Sequence, residues 1–165
     1  YHIRFNENRK FQEFKNTNFE LSVNAEIIDK KFAGLKWITP EFNKNPQDEV
    51  FLLQEIKLHL NNDTRRKMLM TNYSFFSTIL DQKIVSPNRW FNSCDCTYPL
   101  KNNKYYYVYK NFITNLIKKN NIEVIYLIKP VENSEIYQYL NKSCFKEVKI
   151  NEYLSSYELK DCFKS

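Results

Sequence analysis

The stretch EVIYLI at 123–128 constrains this chain more than any other feature. After its first residue the run is apolar without alternation. A strand with one wet face alternates apolar and polar side chains, so a continuous run belongs to a strand covered on both faces. A helix-period stripe precedes it. Tyr105, Val108, Tyr109, Phe112, Ile113, Leu116 and Ile117 recur at i, i+3 and i+4 over about 104–119. Lysines fill the last turn of that helix and Asn120-Asn121 closes it. The stripe predicts a helix most of whose apolar face is core, with Tyr105 packing inward.

Strand and helix signals take turns through most of the chain. LSVNAEIID (21–29) is a weak strand candidate, and LKWIT (35–39) is a better one, stopped by Pro40. Asn45 can cap a helix that starts at Pro46, with Asp48 complementing its dipole. Leu53, Ile56 and Leu60 share one face of that helix, and His59 lies on the opposite side. KMLMT (67–71) reads as a strand, Asn72 as the cap of a helix over 73–80, and KIVS (83–86) as a strand ended by Pro87. Asn133 is expected to cap a short helix through Leu140. FKEVKI (145–150) alternates, and SYELKDC (156–162) is a possible partner for it. This order predicts an α/β fold: a three-layer αβα, mostly parallel, Rossmann-like sheet with a C-terminal antiparallel hairpin. Residues 1–20 read as a polar lead-in from an upstream region, and 21–165 as a single α/β domain.

Composition narrows the function. Gly34 is the only glycine in 165 residues. Phosphate cradles of the P-loop and dinucleotide-fold kind need several glycines, so no nucleotide cofactor is expected. The formal charge of +6 is dispersed among acidic residues, which argues against nucleic acid as a partner. No apolar run approaches the ~20 residues that span a bilayer. The chain begins at Tyr1 and reads as a piece of a longer protein.

Open α/β sheets bind ligands beyond the carboxyl ends of their strands. Candidate ligand-binding residues at those ends are Thr39, Thr71, Asn72, Asn88, Arg89, Trp90 and Lys129. An arginine grips a phosphate or carboxylate bidentately, and an indole stacks on a sugar or base. The alternative is that these residues only end strands, with Arg89 in a structural ion pair. No catalytic set stands out: His2 and His59 are the only histidines, and Asp95 is the one acid in the loop after Trp90.

The four cysteines lack zinc-site spacing, so no metal is expected. Cys94-Asp95-Cys96 reads as loop. A hairpin centred on residue 153 pairs 150 with 156 and sets Cys144 opposite Cys162, within reach of a disulfide in an oxidising compartment. The alternative is two free thiols.

The segments IIDKKFAGLKWITP, RRKMLMTNYSFFSTIL, SPNRW, YPLKNNKYYYVYKNF and KKNNIEVIYLIKP together resemble the C-terminal soluble region of certain multi-span bacterial membrane proteins. These are similar to the dolichyl-phosphate-mannose protein mannosyltransferase and aminoarabinose transferase superfamily. The resemblance implies a periplasmic domain of a membrane-anchored glycosyltransferase. It would bind or position an acceptor or a polyprenyl-linked glycan, with the upstream membrane domain of the same chain as its partner. The catalytic acid of that superfamily lies outside this stretch, and the WWDYG signature of oligosaccharyltransferase soluble domains is absent, so no catalytic residue is carried over. Two other functions stay open. One is a self-contained α/β enzyme, cytoplasmic if the resemblance fails, acting on a phosphorylated or sugar substrate. The other is a protein-interaction module using a tyrosine-rich surface around Tyr105–Tyr109.

Overall fold

The computed structural model describes residues 18–39, 45–91, 98–160 and 162. The chain divides into two compact units, 1–59 and 60–165.

In the first unit, β1 (Val23–Asn24) pairs antiparallel with β2 (Lys36–Trp37), so 21–29 contributes two strand residues rather than a full strand. Three 3₁₀ turns surround them. Asn18, Asn24 and Asp29 cap these turns by accepting a backbone N–H two residues on. Gly34 turns the chain back with φ of 81°, a left-handed conformation that glycine adopts without a Cβ clash. Helix α1 (Pro46–Asn62) begins as its sequence dictates, with Asn45 Oδ1 accepting from Gln47 N at 3.0 Å. The unit is also held by polar pairs: Lys57 bonds Asp29, and Trp37 Nε1 donates to Glu49 Oε2 at 3.0 Å.

The second unit contains β3 (Lys67–Met70), α2 (Phe76–Ile79), α3 (Tyr106–Asn120), β4 (Val124–Ile128), α4 (Asn133–Tyr139), β5 (Phe145–Lys149) and β6 (Leu154–Leu159). Its sheet has the order β3-β4-β6-β5. Strands β3 and β4 are parallel, Lys67 facing Val124 and Met70 facing Leu127, and α3 lies in the crossover between them. The pairs β4–β6 and β5–β6 are antiparallel. The expectation of a mostly parallel three-layer Rossmann-like sheet is therefore wrong. Among the described residues there are four helices and two small sheets, one of two strands and one mixed sheet of four. The connection at 150–153 is the cause: it is too short for a parallel crossover, so β6 turns straight back and slots between β5 and β4. KIVS adds only a parallel bridge from Val85 to Met68 at the outer side of β3.

Alternate residues of the strands, Met68, Met70, Ile125, Leu127, Phe145 and Tyr157, form the core of the second unit. They pack with Tyr106, Ile113 and Ile117 of α3 and with Ile136 and Tyr139 of α4. All five residues of β4 are buried, as its continuous apolar run requires. The stripe on α3 behaves differently. Tyr106 rather than Tyr105 turns inward, and Tyr105, Val108 and Phe112 are 57%, 66% and 45% exposed. This corrects the expectation that Tyr105 packs inward and removes Val108 and Phe112 from the core, while Ile113 and Ile117 are buried and Tyr109 and Leu116 pack against them. Asn121 closes α3 at φ 49°, its N–H bonding the Ile117 and Lys118 carbonyls. The cap position of α4 is Glu132, one residue before the expected Asn133.

A disulfide joins Cys144 and Cys162, with Cα atoms 5.5 Å apart. The register around it is shifted from the expected one. Val148, not residue 150, faces Ser156, and Cys144 O accepts from Lys160 N at 2.9 Å.

Candidate functional site

The parallel pair sets the carboxyl end of β3 at the rim of a cleft of ≈ 220 Å³. Thr71 leaves the strand, Tyr73, Ser74 and Ser77 come from the turn and helix that follow, and Ser86, Pro87, Asn88 and Arg89 return past the Val85 bridge. Leu69 and Ile84 form its apolar floor.

The loop at 86–89 is held from below. Ser86 Oγ lies 2.9 Å from Leu69 O and 2.6 Å from Asn88 O, which fixes the turn that presents Arg89. Thr71 is buried, and its Oγ1 accepts from Tyr73 N at 3.0 Å. Asn88 Nδ2 is buried without a hydrogen-bond partner among the described residues. An unmet buried donor costs about 1–3 kcal/mol, and this one would reach a ligand only if the Asn88 side chain turned toward the cleft. Arg89 is exposed and makes no ion pair among the described residues. The lining residues include no His, Cys, Asp or Glu, so the cleft offers donors for an anion and no group suited to move a proton near neutral pH.

Of the seven residues singled out from sequence, the structure brings Thr71, Asn88 and Arg89 together here. Asn72 lies beside them and acts as a tie: its Oδ1 accepts from Phe91 N and joins the strand end to the far side of the loop. It does not cap α2, whose first turn follows Phe75. Trp90 is 56% exposed and outside the lining. Lys129 follows β4, its ammonium 6.0 Å from the Tyr153 ring centre, and joins Pro130 through a cis peptide bond. Thr39 belongs to the first unit, where its hydroxyl is buried without a partner among the described residues. His59 is half-buried; His2, Pro40, Cys94, Asp95 and Cys96 lie outside the described residues. Ser74 and Ser77 went unnoticed in the sequence, although their i, i+3 spacing after a strand end was the available signal.

Sequence reading also missed a half-buried polar network at the opposite, amino end of β3. Asp63 receives Arg65 through both carboxylate oxygens and the Tyr126 hydroxyl at 2.5 Å. Burial pushes the Asp63 carboxyl up, but the hydrogen bonds from Arg65 and Tyr126 outweigh it and hold its pKa at about 2. Burial and the Asp63 charge raise Tyr126 above the usual phenol range. Lys67 is fully buried and bonds Asp63 O and Gln82 Oε1, and burial lowers its pKa. The wider cleft at this end, ≈ 510 Å³, collects Arg65, Arg66, Lys118 and Lys160. Its arginines are already engaged: Arg65 pairs with Asp63 and Glu158, and Arg66 with Glu123 and Asn121 O. Among the described residues, no group of three or more His, Cys, Asp or Glu is placed to hold a metal ion.

No family model matches the chain, and no solved structure matches it. It is similar to a RING finger protein of Plasmodium falciparum, 28% identical over 143 residues. That alignment covers 83% of this chain and 11% of the relative, so the chain spans about a tenth of that protein's length.

Proposed function

We propose that the second unit binds a small anionic ligand, a phosphate ester, in the cleft beyond β3, and positions it rather than transforming it. One observation carries the reading: Arg89 has no ion pair among the described residues and stands beside the unmet Asn88 amide at a hydroxyl-lined strand end. A guanidinium, an amide and hydroxyls are the donor set that a phosphate takes. The resemblance to the membrane glycosyltransferases suggests a source for that phosphate, a polyprenyl-phosphate-linked sugar presented to a periplasmic domain of a membrane-anchored parent. The alignment with one tenth of a RING finger protein favours a different setting, one segment of a long chain. The cleft chemistry is the same in both. Among the described residues no helix is long and apolar enough to cross a membrane.

Titration with inorganic phosphate and with glucose 1-phosphate, followed by amide chemical shifts, tests the reading. Shifts should concentrate at Thr71, Ser74, Ser86, Asn88 and Arg89, and Arg89→Ala should weaken binding about tenfold or more. Saturating phosphate that leaves these amides unmoved would sink it.

A further inference from the structure

We propose that the outward face of α3 is a docking surface for an acidic amphipathic helix of a partner protein. The helix is apolar on two sides. Tyr106, Ile113 and Ile117 are buried in the core, while Tyr105, Val108 and Phe112, spaced i, i+3, i+7, stand in solvent. Single exposed apolar residues are ordinary, but three in one row beside the buried face form a patch, and it has no partner among the described residues.

Charge identifies the partner. From 99 to 122 there are five lysines and no acidic residue. Lys104 sits at one end of the exposed row, its ammonium 4.8 Å from the Tyr105 ring centre. Lys119, exposed and seven residues beyond Phe112, lies at the other end of the same face. An apolar stripe bracketed by cations fits a helix with aliphatic anchors at i, i+3 and i+7 and acids along its rim. A second copy fits poorly. Antiparallel pairing of two such faces sets Lys104 of each against Lys119 of the other, a like-charge contact that disfavours association.

Fluorescence anisotropy with two designed helical peptides tests this on the whole chain. Both carry leucines at the anchor spacing; one has glutamate at its remaining positions and the other lysine. The glutamate peptide should bind, and more weakly as NaCl rises from about 50 to about 500 mM. Val108→Ser with Phe112→Ser should reduce its affinity about tenfold or more, with unchanged circular dichroism. Lys104→Glu with Lys119→Glu should move the preference to the lysine peptide, a readout that loss of fold cannot mimic. Equal binding of both peptides overturns the proposal. So does concentration-dependent dimerisation abolished by the Val108 and Phe112 changes. Binding to phosphatidylserine vesicles with that same residue dependence, in place of the glutamate peptide, also overturns it.

Discussion

The hydroxyl of Tyr126, at the centre of β4, donates to Asp63 Oδ2 at 2.5 Å across 63 residues of sequence. The same carboxylate holds the Arg65 guanidinium, so one half-buried acid joins the entry of β3 to the middle of the sheet. Its pKa of about 2 lies below the ordinary 3.8. A depressed carboxyl stabilises the fold fully above its unfolded pKa and loses that contribution as pH falls through the folded one. The second unit should therefore lose about 2 kcal/mol between about pH 4 and pH 2. Amide exchange at Val124–Ile128, measured across that range, should show the loss, and Asp63→Asn should flatten it while lowering protection at pH 7.

Reduction of Cys144–Cys162 releases a constraint between residues 18 apart in sequence. Loop-closure entropy in the unfolded chain sets the loss at about 3 kcal/mol. Cys144→Ser with Cys162→Ser should lower the urea midpoint of the second unit, and added reductant should leave the double variant unchanged.

Neighbouring residues of α3 should respond in opposite ways. Ile113 is 1% exposed, and Ile113→Ala should cost about 2–5 kcal/mol through the cavity it leaves. Phe112→Ala removes an exposed ring and should cost under about 1 kcal/mol. Urea melts of the two variants would separate the face that is core from the face that is not.

At the cleft, Arg89→Lys keeps the charge but loses the planar fork. Phosphate affinity should fall about threefold to tenfold, between the wild-type protein and Arg89→Ala, if the contact is bidentate. Equal affinities for arginine and lysine would show a point-charge contact instead.

Asn121 sits in the left-handed region, where asparagine is tolerated and glycine is unstrained. Asn121→Gly should be neutral or slightly stabilising, and Asn121→Val should cost about 1–2 kcal/mol in thermal melts.

Local chemistry was readable wherever one segment decides its own structure. Pro46 behind Asn45 starts α1, the apolar run makes β4 a buried strand, and Asn121 ends α3. The rotation of α3 was not readable, because Tyr105, Tyr106 and Tyr107 present the same side chain in three successive directions. Periodicity alone then admits more than one inward direction. The cleft was half legible: Thr71, Asn88 and Arg89 stood out at strand ends, whereas Ser74 and Ser77 acquire meaning only beside the returning 86–89 loop.

By itself, the sequence determined the start of α1, the end of α3, the doubly covered strand and the lack of a glycine-rich phosphate cradle. Those follow from side-chain period, caps and backbone freedom, all properties of a few adjacent residues. Only the tertiary structure decided that β6 lies antiparallel between β4 and β5, that Asp63 meets Tyr126, and that Tyr105, Val108 and Phe112 face water. Each of these depends on which surfaces remain unburied once distant segments have paired, and no local pattern records that competition.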